Sequence, residues 1–473
     1  MYSTATALAV MALLLILYNT CSILYNIFFH PLRKFPGPFW SRATTWPLAH
    51  ARLRGVMHQV VTEMHAQYGE VVRTAPNELS FITSQAWQDI HGHRTGGKGG
   101  AFPKDLVPFG LDTSDSGLVV INDGYQRRRR LVSHAFSERA LKEQEPIVRK
   151  YVNLLIAKLD DIAQLPKTSD ADDARIFDMV HGYNFVSFDI MSDLAFGEPL
   201  GLLDRSTYTP WVQAVFDSFK LMNLMGVLNM YFPELAKLSS YVVPARLREQ
   251  MKEHRAFSAE RVERRMARSE EDRVDFWKFV LRNQDNKELT LQRWEMNNIA
   301  SDFMVAGSET TATALSGITW LLLTNNSARK RLTCEIRSTF KSADQMDLST
   351  LAQLPYLQAC IEEGLRMYPS FPNAYHSFKN FTDPDSFIPE RWLSNIPDAR
   401  FVNDDKAVAK PFGFGPRDCI GKNLAYHEMR LVLAMVFWHF DLELCEESRK
   451  WMVDQKVFNV WEKPPLKVVV SST

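Results

Sequence analysis

Apolar and polar positions divide the chain into one long apolar run, a helical middle and short alternating stretches near its ends. From Ala5 to Phe29 only Thr, Asn and Ser interrupt the apolar residues, and the first charged side chain is Arg33. At roughly 1.5 Å per residue, a helix of that length crosses the roughly 30 Å hydrocarbon core of a bilayer. A cleaved signal peptide is the rival reading, but the basic leading region and the Ala-x-Ala site are both missing. A buried core helix is the other, against which terminal position and length both count. Arg33 and Lys34 directly after the run predict a cytosolic location for everything beyond it.

The next segment, HPLRKFPGP (His30–Pro38), has three prolines in nine residues and cannot continue a helix. It reads as a stiff connector that sets the direction of the domain relative to the apolar run. Val71 to Thr83 alternates around Pro76-Asn77, as a strand pair with a turn does. A loop rich in Gly and Pro comes next, from about Thr95 to Gly117. Helical periodicity then predicts elements over 138–163, 176–195, 208–230, 245–268, 272–284, 290–324, 326–340 and 355–367, with another near 422–440. The 208–230 segment is apolar on most faces, which fits full burial or a helix that dips into a bilayer surface; burial is slightly favoured. The tail from Val457 to Val470 alternates, as a closing strand pair does. The fold class is therefore mainly α with small β-sheets.

Nothing linker-like divides the 473 residues. The expected organisation is an anchor (1–30), a proline-rich hinge (31–38) and one large domain (39–473). Lys plus Arg and Asp plus Glu are both 55, so the net charge is zero and no nucleic-acid partner is expected. The five cysteines are widely spaced, with no Cys-x-x-Cys pair, which argues against a disulfide framework or a zinc site and for a reducing compartment.

One cysteine stands out by its surroundings. Phe412-Gly-Phe-Gly-Pro-Arg-Asp-Cys-Ile-Gly421 sets Cys419 at the start of a predicted helix, where free N–H groups favour negative charge. Arg417 adds a nearby cation, and Gly413, Gly415 and Gly421 clear side chains from where a planar ligand would approach. An inert buried cysteine is the bland reading of Cys419 alone. Inside the 290–324 helix, Ala306-Gly-Ser-Glu-Thr-Thr311 is poor helix chemistry. It makes sense if Thr310 bonds back to the Ala306 carbonyl and the helix opens locally, leaving room beside Gly307. A hydroxyl (Thr310) beside a carboxylate (Glu309) can pass protons. The alternative is a strained core helix with a solvated glutamate.

The Phe-x-x-Gly-x-Arg-x-Cys-x-Gly stretch resembles the signature of the cytochrome P-450 superfamily. The anchor with HPLRKFPGP, NFVSFDIMSDLAFGE at 184–198 and SFIPERWL at 386–393 are most similar to filamentous-fungal microsomal members of secondary metabolism. The resemblance implies a haem-thiolate monooxygenase with haem b between the 290–324 helix and the Cys419 loop. It would insert one oxygen atom into a lipophilic small molecule such as a terpenoid or polyketide. Electrons would come from NADPH through a flavoprotein reductase. The protein would be a monomer, anchored by one pass in the endoplasmic reticulum membrane. Cys419 becomes the axial iron ligand. Phe412, Arg417, Gly421 and Ala306 line the cofactor, and Glu309 and Thr310 handle protons. Glu363, Arg366 and Arg391 form a structural triad. Alignment through His134-Ala-Phe-Ser137 sets Tyr125 and Arg129 against a haem propionate, with Tyr where Trp or His is usual. The other arginines of Arg127–Arg130, with Lys422, would form a basic face for the reductase. A haem-thiolate isomerase or dehydratase would use the same ligand without the proton relay.

Two further motifs are read as loops: Gly96–Gly100, which lacks the Ser or Thr of a phosphate loop, and His91-Gly-His93, which lacks acidic or thiol company. The resemblance breaks at one place. Arg366 and Cys419 are 53 positions apart, where the family has several dozen more. Between Arg366-Met-Tyr-Pro369 and Ala374-Tyr-His-Ser377 the family carries strands along one haem edge, a propionate anchor and a substrate-recognition segment. Either coding sequence is missing from this form, or the protein lacks that sheet and its haem retention is impaired.

Overall fold

The computed structural model describes residues 4–93, 102, 125–166, 174–237, 245–268, 273–281, 290–372, 379–394, 398–453 and 455–473. The loop predicted over 95–117 and the Gly96–Gly100 motif therefore lie outside the described residues, Phe102 excepted.

Helix α1 (Thr4–Phe28) has no buried residue and a mean hydropathy of 2.2, long and apolar enough to cross a membrane. Its C-terminal end is tied into the domain. The Asn26 amide donates to the Ala43 carbonyl (2.9 Å), and His30 Nε2 lies 2.8 Å from Asn77 Oδ1. Arg73, fully buried, donates through Nη1 to the Asn26 carbonyl (3.0 Å) and through Nε and Nη2 to the Pro76 carbonyl. Arg73 belongs to β1 (Val71–Ala75), which pairs antiparallel with β2 (Glu78–Phe81) across the predicted Pro76-Asn77 turn.

The middle of the chain is helical. After α2 (Tyr125–Ser133), α3 (Glu138–Ala163) begins where Ser137 accepts the Ala140 N–H. The element predicted from 176 is two things: β3 (Ile176–Asp178), then α4 (Met179–Phe196), whose first turn is capped by Asp178. Every α4 residue except His181 is buried, and α4 lies along the long helix α7 (Arg293–Thr324). Helix α5 (Pro210–Tyr231) departs from the expected full burial. Trp211, Val212, Val215, Phe219 and Val227 face inward, whereas Leu224 is exposed and much of the rest is half-buried. α6 (Ala245–Met266) packs against α7, and α8 (Asn326–Thr339) and α9 (Pro355–Met367) come after it. Pro355 at the first turn of α9 costs no internal hydrogen bond. α10 (Lys422–His439) is buried over most of its length. A single large apolar cluster joins α3, α4, α7, α9 and α10.

The tail holds more than the expected strand pair. β5 (Lys456–Phe458) and β6 (Val460–Glu462) form a hairpin, while β7 (Lys467–Ser472) runs between β3 and β4 (Phe440–Leu444) in a separate antiparallel sheet. Among the described residues no strand lies between α9 and β4. The junction at 373–378, where the resemblance breaks, lies outside the described residues.

Candidate active site

The loop before α10 closes on itself. The Cys419 N–H donates to the Phe412 carbonyl (2.7 Å) and the Asp418 N–H to the Gly415 carbonyl (3.1 Å). Gly415 has φ +78°, and a Cβ there would lie 1.9 Å from the His91 carbonyl oxygen, so only glycine lets the loop seat on the helix Ser84–His91. Cys419 is exposed, although neighbouring protein atoms surround much of its sulfur. Burial pushes the thiol above its ordinary value and the Asp418 charge adds to this. The Gly421 N–H, Arg129 and Lys422 oppose it.

That differs from a site expected to lower the thiol's pKa through Arg417. Arg417 donates instead to the Phe102 carbonyl (2.6 Å), and α10 starts only at Lys422. A bound metal ion deprotonates a coordinating thiol by itself, so the ligand chemistry does not need the arginine.

Ala306 is exposed in the middle of α7 while Phe303, Met304, Ser308 and Glu309 around it are buried. Phe136 links the loop to α7. Its ring lies 5.3 Å from that of Phe303, and it would be 3.8 Å from a Cβ at Gly421. An exposed cysteine whose sulfur has a glycine N–H beside it, in a loop linked through Phe136 to a long helix with a small exposed residue, fits a planar iron-bearing group held by a thiolate. Phe412, half-buried, packs on Tyr426 with rings 5.0 Å apart and backs the loop.

The α7 motif is arranged only partly as expected. Thr310 Oγ1 donates to the Ala306 carbonyl (2.5 Å), the back-bond expected there. The space beside Gly307, however, belongs to Met191 of α4, whose methyl would lie 2.5 Å from a Cβ at that position. Successive helical residues are about 100° apart, so Gly307 faces α4 while Ala306 is exposed. Ser370 Oγ adds a bond to the Thr310 carbonyl (2.7 Å). Glu309 is buried and bound to Lys463 Nζ (2.5 Å) and Thr313 Oγ1 (3.2 Å), not to Thr310. Sequence reasoning missed Lys463, since nothing local marks a lysine 154 positions away as its partner.

Tyr125 and Arg129 sit side by side against the cysteine loop. Arg129 Nη1 lies 3.3 Å from the Tyr125 hydroxyl, and Nη2 donates to the Asp418 carbonyl (2.8 Å) and carboxylate (2.7 Å). The rest of the arginine run is not the expected docking face. Arg128 is buried and, with Arg127, pairs with Glu295 at the start of α7, so only Arg130 remains exposed there. Cations near the loop come instead from Lys406, Lys410 and Lys422, which line a hollow of about 690 Å³ beside Phe412 and Tyr426.

Glu363 of α9 is fully buried among donors. Arg366 Nε and Nη2 reach it at 2.8 Å, Arg391 Nε at 3.0 Å, Trp392 Nε1 at 2.8 Å and the Ile388 N–H at 3.0 Å. Arg391 is further held by Asp404 (2.5 Å). His91 ends its short helix with its ring 5.0 Å from Trp87, and no group of three possible metal ligands occurs among the described residues.

The cytochrome P-450 family model matches residues 36–380 and 373–470. The cytochrome P-450 monooxygenase efuB of Hormonema carpetanum is 39% identical over 484 aligned positions, covering 95% of this chain and 94% of the relative. The monooxygenase FUM2 of Gibberella moniliformis is 41% identical, covering 94% and 98%, and astA of Talaromyces wortmannii is 39% identical, covering 97% and 96%. The chain belongs to the cytochrome P-450 family, and is a monooxygenase of the kind that uses haem b.

Proposed function

We propose that this chain is a membrane-anchored haem-thiolate monooxygenase that oxidises a lipophilic small molecule, with Cys419 as the axial iron ligand. The observation that carries the reading is the exposed Cys419, its sulfur beside the Gly421 N–H, in a loop that Phe136 links to α7, where Ala306 is exposed. Haem bound there supplies oxygen binding and electron transfer. Cys419 holds the group in place and the Gly421 N–H tempers the sulfur's charge. Arg129 and Tyr125, already beside the loop, are the propionate partners, with Arg417 at the loop's outer side. Thr310 of α7 handles protons together with Glu309. The presence of both groups favours oxygen insertion over isomerisation or dehydration.

The lysine-lined hollow behind the loop suits an acidic, NADPH-dependent flavoprotein reductase. Exposed Phe39, Trp40 and Trp46 near the end of α1 suit the headgroup level of a bilayer, with the domain on the cytosolic side of the endoplasmic reticulum. The test is the carbon monoxide difference spectrum of the reduced full-length protein. A strongly red-shifted Soret band is expected, and Cys419→Ala is expected to abolish it. The same band in that variant would refute the ligand.

We also infer that the segment after α9 is shortened relative to an active enzyme. The family match breaks into two stretches that meet at 373–380, and the alignment to efuB is longer than this whole chain, so residues of the relative stand opposite gaps. Losing strands there removes packing over the cofactor. Splicing the corresponding segment of the Gibberella moniliformis relative between Pro372 and Lys379 is expected to raise bound haem per chain. Equal haem content in the spliced and present forms would remove this reading and leave Cys419 untouched.

A further inference from the structure

Glu309 and Thr310 are neighbours in sequence, yet they open on different sides of α7. Thr310 is half-buried and turned to the Ala306 carbonyl. The Glu309 carboxylate points into a pocket of about 370 Å³ between α4, α5, α7 and the tail hairpin, whose polar wall includes Asp178, His181, Asn184, Tyr208 and Lys463. Lys463 has a side chain only 4% exposed, and its ammonium bonds both Glu309 Oε1 (2.5 Å) and Thr313 Oγ1 (2.6 Å). Glu309 Oε2 is buried with no hydrogen-bond partner. One carboxylate oxygen is thus clamped and the other is buried without a partner beside a pocket with a polar wall.

Two charges of opposite sign buried in contact cost desolvation, which an apolar pair would avoid. This pair sits next in sequence to Thr310, the residue assigned to proton handling. We propose that Lys463 is a positioning residue for that relay: it holds the Glu309 carboxylate turned to the α4–α5 pocket, the side from which the site draws its protons. The inference rests on the reading of Glu309 and Thr310 as the relay. In each transfer the carboxylate takes a proton from pocket water, turns about its own side-chain bonds and gives that proton to the Thr310 hydroxyl. The hydroxyl's own proton passes on to the site, and the carboxylate returns, charged, to the ammonium. The hydroxide left in the pocket regains its proton from solvent, past the charged groups Asp217, Lys220 and Glu462 that also line the pocket.

The test uses the full-length, haem-loaded protein with a fungal NADPH-dependent reductase and no added organic substrate. Oxygen is then reduced either to peroxide, with two electrons and two protons, or to water, with four of each, the electrons coming from NADPH. The readout is peroxide formed per NADPH consumed, with the carbon monoxide spectrum and melting temperature recorded for each variant. Thr310→Ala is the reference for a broken relay. Lys463→Met is expected to raise the peroxide yield about twofold or more, the direction a weakened proton donor gives. Lys463→Arg, which keeps the cation, should recover most of the difference. In Lys463→Met/Glu309→Gln the yield should match that of Glu309→Gln alone, because the lysine acts only through the carboxylate.

A Lys463→Met variant that melts lower but leaves the peroxide yield unchanged would make the pair merely structural and overturn the proposal. So would a double variant that leaks more than Glu309→Gln. If Lys463→Met fails to load haem, Thr313→Val, which removes the bridging hydroxyl and keeps both charges, carries the same expectation at smaller size. If neither Thr310→Ala nor Glu309→Gln changes the yield, the relay itself is wrong, and that result is distinct from a failure at Lys463 alone.

Discussion

Replacing Glu363 by alanine is expected to abolish haem loading and leave little folded protein. Five donors converge on this fully buried carboxylate, most of them from arginines that are themselves buried. Removing it strands the Arg366 guanidinium with only the Pro384 and Ser386 carbonyls, and leaves Arg391 to Asp404 and two carbonyls. Breaking a buried ion pair from one side costs about 3–5 kcal/mol, a large part of the roughly 5–15 kcal/mol that holds an ordinary domain together. The cluster also fixes the chain from Pro384 to Asp404, which leads directly into the cysteine loop. Haem per chain and urea unfolding of the variant check the expectation. Near-native haem content together with a near-native midpoint would sink it. The exposed Arg139–Glu143 pair is the contrast, since its loss should change stability little.

The second large effect concerns pH. Glu428 in α10 is buried, its Oε2 has no hydrogen-bond partner, and burial pushes its carboxyl up to about 8 from an ordinary 4.5. A raised carboxyl means that the folded chain keeps a proton the unfolded chain has already lost. Between pH about 4.5 and about 8 stability therefore falls as pH rises, by an amount on the order of a few kcal/mol. The neighbouring His427 has neither ring nitrogen bonded, and burial, then the Arg430 and Arg149 charges, lower it to about 4. Its contribution runs the other way: it is present above about 6.5 and lost as pH falls toward 4. Glu428→Gln is expected to remove the alkaline decline, raising the melting temperature near pH 8 and leaving it nearly unchanged near pH 5. A variant whose melting temperature still drops between those two pH values by as much as the parent's would exclude Glu428 as the cause.

The range of each interaction decides how much of it is legible in the sequence. The α3 and α9 boundaries are legible because Ser137 and Pro355 mark them locally. The Cys419 loop is legible because its spacing is itself the structure. β3 is hidden, since its apolar residues run in phase into α4 and only Asp178 marks the change. The arginine run reads as a surface because Glu295, its partner, lies far along the chain. Gly307 falls on a different face from the one expected because its neighbour there is Met191, a contact that only packing reveals. Lys463 belongs to the same class: one lysine before a pair of prolines carries no local sign of a buried carboxylate above it.

Arg73 has a bearing on how the enzyme can be handled in solution. Its guanidinium grips the backbone of Asn26 as well as the turn at Pro76. Cutting the chain at the proline segment would therefore leave an interior cation short of an acceptor. A soluble version that starts just before Asn26 keeps that acceptor, and the tilt of α1 and the heading of the domain tied to it are one and the same degree of freedom.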